Sequence, residues 1–358
     1  MTGASGGHIF PALSLIARLK DSPEDIDTLF VLPRKNIGSQ IISDSGRIEY
    51  LPVSKFRMEY SFKNLVEIFN FLKSFYKSIF ILVEFRPSVV VGFGTLICVP
   101  MVFWAWFFRI KTIIHEQNVL PGRANRLLAV CADKIAVSFP QTKEYLKAYE
   151  AKVIFTGNPI KRELKRYPKK EARGFFGLDD NRSTILVMGG SQGSHRINYA
   201  FLAALESINE PDRLQIIHLT GKEDYNLLKD SYGNMKVDVR LFGFLKEMQF
   251  AYSAADLVIS RSGATTIAEL VYFALPAILI PYPFAYRHQL FNARVLESYR
   301  VALVIEDAAL GKTGLGKVIA SLLDDPLRIS SMRDSYKNIS RPEADNLLAK
   351  EVLSLACI

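Results

Sequence analysis

The feature that most limits what this chain can fold into is an alternation. Short apolar runs recur along it, each closed by glycine or a polar turn and followed by a stretch with helical period. In the second half STILVMGG, LQIIHLTG, VDVRLFGF, DLVIS, PAILIPYP and VALVIE are such runs. In the first half they are DTLFVLP, IEYLPVS, SVVVGFG, TIIHEQN, DKIAVSF and AKVIFTG. Between these lie the helical stretches PALSLIARLK, SFKNLVEIFNFLKSFYKSIFILVEF and PGRANRLLAVCA. Runs that are apolar throughout read as strands buried on both faces, and strands alternating with helices predict parallel, doubly wound α/β sheets with right-handed crossovers. The periodicity pauses near TGNPIKRE, before the charged stretch KRELKRYPKKEARGFFGLDDNRS. That pause predicts two Rossmann-like domains, 1–157 and 158–340, with a final amphipathic helix in 341–358 packing back on the first. Two such sheets predict a cleft faced by the C-terminal ends of their strands. One anomaly stands out: Gly3 to His8 reads as the glycine turn after a first strand, yet only Met1 and Thr2 precede it. A central strand is expected there and is missing.

At 358 residues, with 49% apolar and 23% charged residues, the chain can bury two cores and is not a disordered chain. A formal charge of +9 implies affinity for anions: nucleic acid, an anionic membrane or a phosphorylated substrate. No nucleic-acid motif or concentrated arginine stripe supports the first. Cys98, Cys131 and Cys357 lie far apart, without pairing or metal spacing, and are expected as free thiols in a reducing compartment. MTGASGGHIF does not read as a signal peptide. Ser88 to Phe108 is uncharged and long enough to span a bilayer, but Gly92, Gly94 and Pro100 divide it into strand, loop and helix. Lys73 and Lys77 share a helix face, while Phe69, Phe71, Phe75, Tyr76 and Phe80 supply aromatic surface, with the apolar helix near Trp104 and Trp106 beside it. Such a surface suits adsorption to anionic lipid; core packing with solvated lysines is the alternative.

Candidate chemistry gathers at strand ends. In Asp256 to Asn292 the run DLVIS leads through RSGATT into the helix ATTIAELVYFA. Gly263 permits the turn, with Arg261 beside it, and Ser262 or Thr265 is the expected cap. The unpaired N–H groups of the helix start suit a phosphate, and Glu269 suits ribose hydroxyls. A polar loop, AYRHQLFN, follows the next strand and is placed to reach the same pocket. GGSQGSHRIN is the matching loop earlier in the second half, where Ser191, Gln192 and Gly193 are placed to hold a pyrophosphate. In the first half, Ser5, Gly6 and Gly7 lead into a helix carrying His8, a candidate general base. His115, Glu116, Gln117 and Asn118 cluster at a strand end as a ligand site or a polar cap. A nicotinamide cofactor is not expected, because neither loop is G-x-G-x-x-G and no acidic ribose partner follows the first. No metal set emerges: the five histidines scatter and no D-x-D pair ends a strand. G-x-S-x-G is absent, so a serine hydrolase is unsupported.

In order, GASGGHIFPAL, HEQNVLPGRANR, TGNPI, GGSQGSHRIN, RSGATTIAEL and HQLFNA span nearly the whole chain. This set resembles the MurG family, the N-acetylglucosaminyltransferases of glycosyltransferase family 28 that make lipid II in peptidoglycan synthesis. The resemblance implies a GT-B fold and inverting transfer of GlcNAc from UDP-GlcNAc to lipid I, with no cofactor or chelated catalytic metal. It implies that Ser5, Gly6 and Gly7 meet donor and acceptor and that Asn118 contacts the GlcNAc, supported by Glu116. Ser191 would hold the pyrophosphate. Ala264, Thr265, Thr266, Ile267 and Ala268 would cover phosphate and uridine. Glu269 would bind the ribose, Gln289 the GlcNAc, and Leu245 the uracil through its backbone. The family's arginine after GNP-x is Lys161 here, which keeps the charge but loses the bidentate fork. The second glycine loop is GFGTLICVP, poorer in glycine and serine than the family's. The implied partners are UDP-GlcNAc, lipid I, an anionic membrane surface and a cell-wall synthesis complex; the implied location is peripheral, on the cytoplasmic face of the bacterial inner membrane. Another GT-B lipid glycosyltransferase and a degenerate, non-catalytic homologue are the rival readings, and an epimerase would need further carboxylates and histidines.

Overall fold

The computed structural model describes residues 1–2, 6–33, 47–52, 62–206, 208, 211–284, 287–311, 314–339 and 343–357. The chain forms two compact units, Met1–Arg162 with Glu343–Ile358, and Glu163–Pro342.

Unit 1 opens with helix α1 (Gly6–Leu19), then strands β1 (Leu29–Pro33) and β2 (Arg47–Leu51), helix α2 (Phe62–Phe85), β3 (Val89–Gly92), α3 (Cys98–Phe107), β4 (Lys111–Glu116), α4 (Arg123–Leu128), β5 (Lys134–Val137) and β6 (Val153–Phe155). All pairings are parallel, but they form two separate sheets, β1-β2 and β3-β4-β5-β6. The apolar residues of α1 recur at helical spacing, Ile9, Ala12, Leu15 and Leu19, and pack with Phe30, Leu32 and Ile113 on one face. Ile81, Leu82, Met101, Val102 and Ala105 cover the other. Residues 158–162, read from sequence as the start of the second half, pack on α1. Ser14 donates to the Ile160 carbonyl, Lys161 Nζ sits 3.7 Å above the Phe10 ring, and Arg162 pairs with Asp21.

Unit 2 continues with α5 (Lys169–Phe175), β7 (Ser183–Met188), α6 (His195–Leu205), β8 (Leu214–Leu219), α7 (Tyr225–Gly233), β9 (Asp238–Phe242), α8 (Met248–Ala254), β10 (Leu257–Ser260), α9 (Ala264–Phe273), β11 (Ala277–Leu279), α10 (His288–Ser298), β12 (Ala302–Val304), α11 (Leu315–Leu323) and α12 (Pro326–Ser335). Its sheet is all parallel in the order β12-β11-β10-β7-β8-β9. The strand order therefore reverses between β7 and β10, the position where open α/β sheets bind ligands. The last helix, α13 (Ala344–Ala356), returns to unit 1, burying Leu348 and Val352 in the α1 cluster and pairing Glu351 with Lys134 at 2.6 Å.

The aromatic surface read on α2 divides. Phe69, Tyr76 and Phe80 are exposed, but Phe71 and Phe75 lean into the core, and Phe75 packs edge-on to Phe103 of α3. Lys77 is not simply solvated: it pairs with Glu49 and donates to the Tyr50 carbonyl. Phe71 and Phe75 point to a different side of the helix from Phe69, Tyr76 and Phe80, so only part of the aromatic set supplies surface. Among the described residues no helix is long and apolar enough to cross a membrane; α3 spans ten residues.

Candidate functional site

In unit 2 the two loops singled out in the sequence leave neighbouring strands. The turn 189–194 follows β7, and Arg261, Ser262 and Gly263 follow β10. Gly190 and Gly193 have φ of 100° and 80°, a region glycine enters without penalty. Gly193 also packs so closely that a Cβ would strike the Thr220 carbonyl, and one on Gly221 would strike that of Gln192. These glycines lock two loops together, whereas the space over Gly190 is open. Ser191 and Gln192 are exposed on the turn, ahead of the N-terminus of α6.

At α9 the expected cap is corrected. Gly263 is the N-cap and no side chain closes the helix start; Thr265 Oγ1 is buried with no partner. Ser262 is held elsewhere, its hydroxyl donating to the Gln289 carbonyl at 2.8 Å. The N–H of Ile267 already bonds the Gly263 carbonyl, so the helix start offers the N–H groups of Ala264, Thr265 and Thr266. Ile267 is buried and serves packing; Ala268 lies beyond the first turn. Gln289 is another correction, since it sits in the first turn of α10, not in a loop. Its Oε1 accepts from the N–H groups of Ser262 and Tyr282 (3.2 and 2.9 Å). That pins the amide so that Nε2 stands 4.0 Å from where a Cβ on Gly263 would lie. Glu269, on the second turn of α9, accepts a 2.6 Å bond from the buried Tyr252 hydroxyl. Burial raises the Tyr252 pKa well above its ordinary value, and the Glu269 charge adds to the shift, so the phenol stays the donor. Leu245 is buried in the loop after β9.

Two residues that support these turns, Asp307 and His218, had no signal in a motif. Arg261 gives Nη1 to Asp307 Oδ2 at 2.6 Å and Nη2 to Ser194 Oγ at 2.9 Å, tying the β10 turn to the β7 turn. Asp307 also holds Arg196 Nε at 2.6 Å. Beneath α6, buried Asn198 gives its amide to the Thr220 carbonyl and to Asp224, and its Oδ1 accepts from His218 Nε2 (3.0 Å), while His218 Nδ1 meets the Tyr232 hydroxyl at 2.8 Å. Burial pulls the His218 pKa down to about 3, so the ring is neutral with its proton on Nε2. A polar residue on an apolar helix face, Asn198 beside Ile197 and Phe201, was the available hint.

In unit 1, Ser5 lies outside the described residues, and Gly6 and Gly7 form the first positions of α1. His8 Nδ1 meets the Phe93 carbonyl at 2.8 Å, which leaves the basic lone pair on Nε2. Gly94, at φ 77°, lies under His8 and Asn125: a Cβ there would be 3.6 Å from His8 Cε1 and 3.4 Å from Asn125 Nδ2. The HEQN residues separate by role. Glu116 is buried and staples the turn, accepting from the N–H groups of Asn118 and Gly122 at 2.9 Å and from Asn125 Nδ2 at 2.7 Å. His115 gives Nε2–H to the Gly157 carbonyl and accepts from Gln117 Nε2, and burial pulls its pKa down to about 4. Asn118 remains half-buried on the turn, with its carbonyl bonded by Thr142. Gln117 Oε1, Asn125 Oδ1 and both amide atoms of Asn158 are buried without a protein partner, an arrangement that a polar ligand or water satisfies. Among the described residues no group of His, Cys, Asp and Glu is gathered as for a metal.

Two family models match, the glycosyltransferase family 28 N-terminal domain over residues 1–137 and its C-terminal domain over 184–348. A relative from Listeria monocytogenes serovar 1/2a is 36% identical over 357 residues, covering 99% of this chain and 98% of its own. This chain belongs to glycosyltransferase family 28. The family 28 relative is named UDP-N-acetylglucosamine–N-acetylmuramyl-(pentapeptide) pyrophosphoryl-undecaprenol N-acetylglucosamine transferase. A solved structure of Acinetobacter baumannii MurG matches with a TM-score of 0.81 at 23% identity, covering 99% of this chain and 98% of that one. The UDP-GlcNAc 2-epimerase of Neisseria meningitidis matches with a TM-score of 0.70 at 14% identity, covering 98% of both chains. At such identities the two structures speak for the fold alone, which is GT-B, as expected for family 28.

Proposed function

We propose that this chain transfers GlcNAc from UDP-GlcNAc to the C4 hydroxyl of the MurNAc residue of undecaprenyl-pyrophosphoryl-MurNAc-pentapeptide, lipid I, giving lipid II with inversion at the anomeric carbon. The observation that carries this reading is the match along 99% of the chain to a relative named for that transfer.

The donor belongs to unit 2. The N–H groups of the Ser191 turn and of Ala264 to Thr266 bind the diphosphate, where both helix starts present positive dipole ends. Glu269, oriented by Tyr252, takes the ribose hydroxyls; Gln289 Nε2 takes the GlcNAc; the Leu245 backbone meets uracil. Arg261 acts from beneath, through Ser194, and its counter-charge is Asp307. Unit 1 serves the acceptor and carries His8, with Gly6 and Gly7 at the start of its helix. Asn118 meets the GlcNAc, and Lys161 lies at the position of the family's arginine. In the reaction the acceptor oxygen attacks C1 from the face opposite the diphosphate. The C1–O bond breaks with its electron pair remaining on UDP, and the hydroxyl proton passes to His8 Nε2. Stabilising the charge on departing UDP is the largest electrostatic contribution.

The acceptor's lipid requires a membrane, and unit 1 supplies a surface for an anionic one. Phe69, Leu72, Tyr76, Phe80 and Val83 are exposed along one face of α2, with Trp106 and Phe107 at the end of α3 and Phe108 just after it, and with Lys73, Arg86 and Arg109 on or next to these helices in sequence. This suits a peripheral enzyme on the cytoplasmic face of a bacterial inner membrane.

The decisive experiment supplies purified protein with labelled UDP-GlcNAc and a lipid I analogue. Disaccharide formation is expected, while transfer to diacylglycerol or epimerisation of the donor would replace the reading.

A further inference from the structure

Between β11 and α10 the chain passes through Pro281, Tyr282, Pro283 and Phe284, and both aromatic rings of this stretch stand in solvent. Tyr282 is 44% exposed and Phe284 68%, with their ring centroids 5.3 Å apart and the planes at 62°. The local sequence sets up this pair. Proline fixes its own φ, and the residue ahead of a proline is pushed to extended backbone, so 281–283 has little conformational freedom to lose. In extended chain, alternate side chains fall on one side, which brings the Phe284 ring to that of Tyr282. The core cluster of unit 2 includes neither ring. Large apolar groups held in water are unfavourable until something covers them.

Their place in unit 2 says what covers them. The stretch leaves the C-terminal end of β11, the sheet edge at which the turns after β7 and β10 also lie. Three contacts hold it beside those turns. The Tyr282 N–H donates to Gln289 Oε1 at 2.9 Å, so its backbone is tied to the amide whose Nε2 faces the space over Gly263. Arg261 donates to the carbonyls of Ile280 and Pro281 at 3.1 and 3.3 Å, and its guanidinium lies 5.5 Å from the Tyr282 ring centre. The same guanidinium reaches Ser194 Oγ, at the end of the β7 turn, at 2.9 Å. Ring pair, Gln289 amide and β7 turn thus hang together through Arg261 and Gln289. On the footing that UDP-GlcNAc is the donor, we propose that Tyr282 and Phe284 form an aromatic platform on which the hexose ring of the donor rests. A gluco-configured ring carries its substituents equatorially, so its faces present axial C–H bonds. These bear slight positive charge and pack on the negative face of an aromatic ring. Gln289 Nε2 then meets a hydroxyl at the edge of the sugar while the rings cover its face. The platform acts on the sugar and not on the nucleotide, and it fixes the attitude of C1 above the diphosphate.

Titration calorimetry on the full chain, with UDP-GlcNAc and with UDP alone, separates the two parts of the ligand. Phe284→Ala, and the double variant Tyr282→Leu with Phe284→Ala, should melt near the parent because both side chains face solvent. The double variant is expected to bind UDP-GlcNAc about tenfold more weakly, a change of about 1.4 kcal/mol, and UDP with parent affinity. Tyr282→Phe keeps the ring and should bind UDP-GlcNAc as the parent does. Proton NMR of bound UDP-GlcNAc supplies a signature that a merely structural role would not move. The ring currents of the platform should shift the sugar C–H protons upfield with the parent and not with the double variant. Weaker binding of UDP itself would put the pair on the nucleotide or on the Arg261 clamp, and a shift confined to the acetamido methyl would put it on that group; either result overturns the platform. Lost adsorption to anionic vesicles with donor affinity intact would make the pair a membrane contact and overturns it as well. A parent that binds no UDP-GlcNAc removes the donor reading together with the platform, whereas equal binding by parent and double variant removes the platform alone.

Discussion

Asp307 holds two guanidiniums, those of Arg196 and Arg261, and is itself almost entirely buried. Removing one partner of a buried pair leaves the other charge uncompensated, at a cost of about 3–5 kcal/mol. Asp307→Ala should therefore lower the urea midpoint of unit 2 strongly, and a variant as stable as the parent would show that the clamp contributes nothing. Glu269 is the opposite kind of residue, partly exposed and paired to a tyrosine that positions it. Glu269→Ala is expected to weaken UDP-GlcNAc binding about 10- to 100-fold, the range for losing a hydrogen bond to a charged group, about 1.5–3 kcal/mol. Titration calorimetry checks it, and unchanged donor affinity removes the ribose role.

At the scale of elements, two glycine turns make contrasting predictions. A Cβ at Gly193 collides with backbone at a positive φ, so Gly193→Ala should destabilise unit 2 before any ligand is considered. Gly263 has φ of −61° and nothing closer than 3.9 Å to a Cβ, so Gly263→Ala should melt near the parent. If the space over the α9 start receives a phosphate, that same variant loses UDP affinity; normal binding would place the diphosphate elsewhere. Helix α2 offers a third test. Leu72 and Phe80 are 60% and 54% exposed, so Leu72→Asp with Phe80→Asp should leave the melting temperature nearly unchanged. The pair should nevertheless abolish co-sedimentation with anionic vesicles. Adsorption of the parent should fall with added salt, since the lysine and arginine contribution is screened.

For the whole molecule, each unit carries one histidine that folding keeps neutral. Burial lowers His115 in unit 1 to about 4 and His218 in unit 2 to about 3, against an ordinary 6.5. Because these values lie below the unfolded ones, the unfolded chain takes up protons first as the solution is acidified. The stabilisation is complete above about pH 6.5 and declines toward pH 4, by up to ~1.4 kcal/mol per pH unit for each group. Urea midpoints should fall between pH 6.5 and 5, and His218→Gln should flatten the fall for unit 2. A midpoint constant across that window would show that neither ring is held neutral.

What the sequence by itself determined is whatever a short stretch of backbone dictates. Continuous apolar runs and period-3.6 patterns set the strands and helices, and glycine spacing marked the turns at 189–194 and 261–263, because these depend on neighbours a few residues away. The ordered motifs carried the family. Only the tertiary structure decided which side chains meet. The adjacency of β7 and β10 brought Arg261 to Ser194 across 67 residues, and the chain after β12 brought Asp307 to Arg261 across 46 and to Arg196 across 111. Gln289 passed from loop to helix, and the Gly263 turn proved uncapped, because capping depends on where the side chain finds its partner. Glu116 became a staple for the same reason.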